Sequence, residues 1–193
     1  MKTSIWASLL QLSLVSNLIF AQNNDFYTLL PTPQQINYTK GSYTQDGQKY
    51  IYIQGPVDDA LLSIARTFQQ AAESIGHKFE LTAYKGSYES IAIALTVDPN
   101  STISPQGYQL RIGEKIIEAK SSDKAGLYYA AQTFKQMCRQ SKKGLLCSEV
   151  NDFPSLPNRG VMLDVSRDKV PTMQTLKEMI DMFSEFKYNQ LQL

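Results

Sequence analysis

The sequence predicts an α/β protein in two parts: a small α+β domain, with an antiparallel sheet and two helices on one face, then the first strand–helix–strand unit of a parallel-strand domain. Three observations predict it. Between residues 31 and 150, short runs of alternating apolar residues are separated by turn residues, and two longer stretches carry apolar residues at helical spacing. Asn151 to Asn158, with Pro154 and Pro157, reads as a stiff connector. From Arg159 onward the pattern changes to strand, helix, strand, and a helix of that length supplies the crossover that parallel neighbours require.

Taken in order, Met1 to Ala21 has Lys2, a mostly apolar run from Ile5 to Phe20, and then Ala21 before a polar segment, which is the outline of a secretory signal peptide. Gln11, Ser13, Ser16 and Asn17 dilute the run, so cleavage is favoured over a retained membrane anchor. The mature chain is expected to be secreted or periplasmic, with no stable membrane span. Residues 22–30 form a linker, 31–150 the small domain, and 151–193 the opening of the second domain.

Ile36 and Tyr38 begin a strand pattern, residues 41–47 make a loop, and Tyr50 to Ile53 alternate as a second strand. Asp58 or Asp59 caps a helix whose apolar face runs through Leu61, Leu62, Ile64, Ala65, Phe68, Ala71, Ala72 and Ile75, and Gly76 stops it. Phe79 to Ala83 is an amphipathic strand. In Ser90 to Val97, Ile91, Ile93, Leu95 and Val97 share one face, while Ala92 and Ala94 leave the other flat enough to receive a helix. Tyr108, Leu110 and Ile112 alternate again, and Gly113-Glu114 turns the chain into a strand over Lys115 to Ala119. Ser121-Ser122-Asp123 caps a second helix with Leu127, Ala130, Ala131, Phe134 and Met137 or Cys138 on its inner face. Leu145 to Val150 is a last short strand.

In the second part, Val161 to Val165 is a strand ending near Asp164, and Pro171-Thr172 supplies a break and a cap. Met173, Leu176, Met179, Ile180, Phe183 and Phe186 predict a helix with one buried face. Lys187-Tyr188-Asn189 closes it, and Leu191 and Leu193 alternate as the opening of a second strand. A single unit of this kind leaves strand edges and a helix face uncovered, so the main domain is expected to continue past Leu193.

The formal net charge of +1 gives no electrostatic reason to expect a nucleic-acid partner, and one histidine rules out a His-rich metal site. No nucleophile–base pair, glycine-rich phosphate loop or metal-ligand cluster stands out in the small domain, and neither a metal nor a cofactor is expected. His77, just past Gly76, reads as a helix-end residue where partial positive charge is favourable. Cys138 and Cys147 are compatible with a disulfide in an exported chain and equally with two free, partly buried thiols. Arg159, Asp164, Arg167 and Asp168 surround the first strand of the second part, and the plain reading is a local ion-pair cluster.

The run DFPSLPNRGVMLDVSRD, followed by a helix and KYNQLQL, resembles the entry into the catalytic (β/α)8 barrel of glycoside hydrolase family 20, the β-N-acetylhexosaminidases. GLYYAAQTFKQ and LLPTPQQI resemble segments of the small domain preceding that barrel. The resemblance implies exo-hydrolysis of terminal N-acetylglucosamine or N-acetylgalactosamine from glycans by a substrate-assisted retaining mechanism. It implies that Arg159 binds hydroxyls of the terminal sugar, that Asp164 supports that site, and that the catalytic Asp–Glu pair lies beyond Leu193, so residues 1–193 alone are inactive. Asp168-Lys169 departs from the family's usual histidine and aromatic. Arg159 and Asp164, an odd number of residues apart, face opposite sides of a regular strand, so both reach one pocket only through a bend near Gly160. The rival readings are a non-catalytic carbohydrate-binding or scaffold module, and another exo-glycosidase with the same two-domain layout.

Overall fold

The computed structural model describes residues 26–83, 88–142, 144–167 and 170–193. The expected signal peptide, the first part of the linker, the loop at 84–87 and Asp168-Lys169 lie outside the described residues.

Seven strands form one sheet in the order β1-β7-β5-β6-β4-β2-β3, where β1 is Gln35–Ser42, β2 Tyr50–Gln54, β3 Glu80–Thr82, β4 Ile91–Val97, β5 Tyr108–Ile112, β6 Ile117–Ser121 and β7 Leu146–Asp152. The sheet is mixed rather than antiparallel. β2 runs parallel to β3 and to β4, and β4 parallel to β6; only the pairs β1/β7, β5/β6 and β5/β7 are antiparallel. The helices account for part of this, and the connection from β3 to β4 and the loops around β5 for the rest. α1 (Asp59–Glu73) carries the chain from β2 to its parallel neighbour β3, and α2 (Lys124–Gln140) carries it from β6 to β7, which lies beyond β5 and points the same way as β6. A helix of 15 or 17 residues brings the chain back to start another strand in the original direction.

Both helices lie on one face and pack on each other, with Phe68 and Phe134 rings 5.2 Å apart and neither residue exposed. Beneath them Ile51, Ile93, Leu95, Leu110, Ile112 and Ile117 are buried. The helix-bearing face of β4 is therefore the branched one, through Ile93 and Leu95, whereas Ala94 pairs with Glu118 on the half-exposed side. A register shift between Tyr50 and Ile51 opposite β4 admits Ala92 to the core as well.

Caps fall where the sequence places them: Asp58 accepts from Leu61 N at 3.0 Å, and Asp123 accepts from Gly126 N at 2.7 Å. Gly126 also lets α2 approach β5 closely, since a Cβ there would stand 2.1 Å from the Gly107 carbonyl oxygen. Residues 27–30 are laid along α2 rather than hanging free. Gln140 exchanges paired hydrogen bonds with Thr28 (2.8 and 2.9 Å), and Gln136 does the same with Leu30 (2.9 and 2.7 Å).

The second part is a parallel two-stranded pair joined by a helix: β8 (Gly160–Met162), α3 (Met173–Glu185) and β9 (Gln190–Gln192), with Val161 opposite Leu191. The expected buried face of α3 is only half-covered: Leu176, Met179 and Phe183 are half-buried, and none of its 13 residues is fully buried. Met173 is 67% exposed and Ile180 50%, and the side-chain contacts α3 makes with α2 are polar: Tyr128 to Ser184, and Lys135 and Arg139 to Glu185. Among the described residues, no helix is long and apolar enough to cross a membrane.

Candidate functional site

The residues singled out in the second part fall into two places. At the carboxyl end of β8, Asp164 accepts from Ser166 N (2.8 Å), from the Ser166 hydroxyl, and from Arg167 Nη2 (3.1 Å). These hydrogen bonds hold the Asp164 carboxyl below the usual carboxylate range, the Ser166 hydroxyl first. The Arg167 side chain is 81% exposed, so this is an acid and a solvent-exposed guanidinium, ion-paired to each other, at the open end of a parallel strand pair. A carboxylate and a planar guanidinium together can accept from and donate to the hydroxyls of one polar ligand.

Arg159 stands at the other end of the strand. Its Nε donates to the Lys187 carbonyl (2.9 Å), Nη1 to the Leu156 and Pro157 carbonyls (2.7 and 3.3 Å), and Nη2 to Gln106 Oε1 (3.2 Å). The guanidinium also lies 5.1 Å from the Tyr129 ring centroid on α2. Arg159 and Asp164 share no hydrogen-bond partner; they lie on either side of β8 rather than within it, so alternation along the strand does not decide where they point.

The seam that holds Arg159 contains residues the sequence did not single out. Asn189 accepts from Arg159 N at 2.8 Å and donates to the Pro157 carbonyl at 2.8 Å. Lys187, 5% exposed, donates to Asp152 Oδ2 and to the Tyr108 hydroxyl, each at 2.9 Å. Burial pulls the Lys187 ammonium below the usual lysine range, against the opposing pull of the Asp152 carboxylate. A cavity of about 250 Å³ opens on this seam, walled by Pro31, Gln106, Tyr129, Phe153, Arg159 and Lys187. Its lining can bind, but it lacks a nucleophile paired with a base. The only hint in the sequence was the KYN that follows α3, where a lysine ordinarily reads as a solvated helix end.

Cys138 and Cys147 are both buried as free thiols, so the disulfide alternative is not the one adopted. Burial pushes the Cys138 thiol up to about 12, which leaves it an inert packing residue. His77 is a half-buried helix end rather than a solvated one. Its ring lies stacked 6.0 Å from Phe79 and edge-on 5.3 Å from Tyr43, and desolvation lowers its pKa. Among the described residues, no group of three or more His, Cys, Asp or Glu side chains is placed to hold a metal ion.

Comparison with known proteins bears on this arrangement. Residues 27–153 match the family described as glycosyl hydrolase family 20, domain 2. The chain is 30% identical over 95 residues to a beta-hexosaminidase of Akkermansia muciniphila, covering 48% of this chain and 19% of that one. It is 28% identical over 169 residues to the N,N'-diacetylchitobiase of Vibrio harveyi, covering 86% of this chain and 18% of that one. The crystal structure of a beta-N-acetylhexosaminidase from Bacteroides fragilis superposes with a TM-score of 0.67 at 28% identity, over 84% of this chain and 31% of that one. The chain spans about a fifth of the length of these curated relatives.

Proposed function

The chain belongs to glycosyl hydrolase family 20, and on that premise we propose that it is the exported amino-terminal part of a β-N-acetylhexosaminidase. In this reading residues 1–21 are a signal peptide, 31–150 the family's small domain, and β8-α3-β9 the first unit of a (β/α)8 barrel. The observation that carries it is the order of parts. A region matching domain 2 of the family is followed, in the same chain, by a parallel strand–helix–strand unit with polar residues at its carboxyl end, where such barrels gather their working groups.

The whole enzyme then removes terminal N-acetylglucosamine or N-acetylgalactosamine from glycans, with the substrate's acetamido oxygen as nucleophile and a glutamic acid protonating the leaving group. Neither metal nor cofactor takes part. Asp164 belongs to the sugar-binding mouth. We place Arg167 beside it in preference to Arg159, because the Arg167 guanidinium is open to solvent while that of Arg159 is occupied by three carbonyls and Gln106.

The test is hydrolysis of nitrophenyl N-acetyl-β-glucosaminide by the protein from the complete reading frame, with the product anomer followed by NMR. Hydrolysis with retention, unaffected by chelator, is expected. Arg167→Ala should raise KM by about tenfold or more, the scale of a lost charge-assisted hydrogen bond, and Arg159→Ala should leave KM near that of the parent. Hydrolysis of plain glucosides with none of the N-acetyl substrate would sink the reading. Chitooligosaccharide binding by calorimetry without any hydrolysis would favour a carbohydrate-binding module instead.

A further inference from the structure

Position 187 carries a lysine where backbone conformation alone would favour glycine. Among the described residues, two that are not glycine have left-handed backbones, Gln106 (φ 60°) and Lys187 (φ 63°), and both stand in the seam between the small domain and β8-α3-β9. Glycine adopts that conformation freely and other residues adopt it at a cost, so an observed outlier points toward work done by its side chain. Here both side chains do reach across. Gln106 Oε1 accepts from Arg159 at 3.2 Å and lies 3.4 Å from Asn189 Nδ2. Lys187 Nζ reaches Asp152 at the end of β7 and Tyr108 at the start of β5, with the Tyr108 ring centroid 5.0 Å away. Tyr108 is itself 1% exposed, and its hydroxyl lies 2.6 Å from Thr133 on α2.

Lys187 is also where the second part converges. It follows the last turn of α3 and lies three residues before β9, and its carbonyl accepts from Arg159, the residue just before β8. Because no residue of α3 is fully buried, apolar packing of that helix fixes only weakly how this unit sits on the small domain. Directional contacts must do the rest, and a buried ion pair with a hydroxyl partner has a single satisfactory geometry.

We propose that Lys187 is an interdomain latch: its ammonium, enclosed by Asp152 and Tyr108, seats the β8-α3-β9 unit on the small domain and sets the register of its two strands. This goes beyond the glycosidase reading and stands without it, since it concerns how the two parts are joined.

Hydrogen–deuterium exchange on the full chain tests it, read at the seam amides of Asn189, bonded to the Arg159 carbonyl (2.8 Å), and Leu163, bonded to the Gln192 carbonyl (2.9 Å). Lys187→Gly relieves the left-handed backbone and removes the ammonium. We expect these amides to exchange about tenfold faster or more, while β4 and β6 in the small domain keep their protection. Exchange that is unchanged or slower would overturn the latch and leave position 187 as a helix-ending turn. Asp152→Asn leaves the backbone at 187 untouched, so it decides the matter even if Lys187→Gly does not fold: faster seam exchange is expected, and an unaltered seam refutes the pairing. With Lys187→Met and Asp152→Asn measured singly and together, the two effects should not multiply in the double variant, because both remove the Lys187–Asp152 pair; full multiplication would show that the residues act separately.

Discussion

α2 and α3 start alike and finish differently. Each is capped by a side-chain oxygen, Asp123 on Gly126 N and Thr172 on Thr175 N, and each repeats apolar residues every three or four positions. In α2, 11 of 17 residues are buried, whereas in α3 none of 13 is. Periodicity records which face of a helix would be buried, and burial itself depends on a neighbour. α2 has the sheet beneath it and α1 beside it. α3 meets α2 through a few polar contacts. Stability in this chain should therefore be concentrated in the small domain, and equal changes in the two helices should have unequal effects.

The sharpest way to break that contrast is to cut one ring from each helix. Phe134 is fully enclosed against Phe68, so Phe134→Ala should cost about 3–5 kcal/mol in urea unfolding of the small domain. Phe183 is only half-buried, against Tyr188 at 5.8 Å, and Phe183→Ala should cost less than about 1 kcal/mol. Equal losses would mean that α3 shares the cooperative core after all.

A smaller effect separates the caps. Asp123 accepts from Gly126 N with one oxygen and from Gln106 N with the other, both at 2.7 Å, so Asp123→Ala should cost about 1–2 kcal/mol in the same unfolding transition. Thr172→Ala removes a comparable bond of 3.1 Å. It should fray α3 while moving the small domain's urea midpoint by no more than about 0.5 kcal/mol in stability. A matching shift from both variants would show that the two parts unfold as one.

These contrasts also mark what the sequence could and could not convey. The caps at Asp58, Asp123 and Thr172 and the inner faces of α1 and α2 were legible because each depends on residues within a turn or two of one another. Strand direction was not, because whether β3, β4 and β6 run parallel to β2 depends on where the connections return the chain, a helix after β2 and loops after β3 and β4, and alternation is the same in either direction. The helix-bearing face of β4 was misplaced for a similar reason: Ala94 looks accommodating on paper, but the burial of Ile93 and Leu95 decides the matter. At the site, Asp164 and Arg167 at the strand end were legible as neighbours. The destination of Arg159 and the burial of Lys187 were not, because both follow from tertiary contacts with Gln106, Tyr129, Tyr108 and Asp152, far away in sequence.

The smallest expected effect lies at His77, where the same helix-end position that invites a positive charge in sequence is half-covered by aromatic rings in space. Burial against Tyr43 and Phe79 lowers the folded-state pKa below that of the unfolded chain, about 6.5. The unfolded chain therefore takes up the proton first. The contribution of the neutral ring to stability is intact above the unfolded pKa, declines as pH falls through it, and is fully lost below the folded pKa. Urea midpoints measured on either side of about pH 6.5 should fall toward acid in the parent protein, and the fall should be shallower in His77→Gln. The lowered carboxyl groups of Asp58 and Asp164 respond only near the carboxylate range, so they do not obscure this window. Identical slopes in parent and variant would mean that the ring protonates as readily folded as unfolded. The enclosure by Tyr43, Phe79 and the Gln45 amide would then be looser than the 3.0 Å contact at Nδ1 implies, and one edge of the small domain would resemble α3 more than α2.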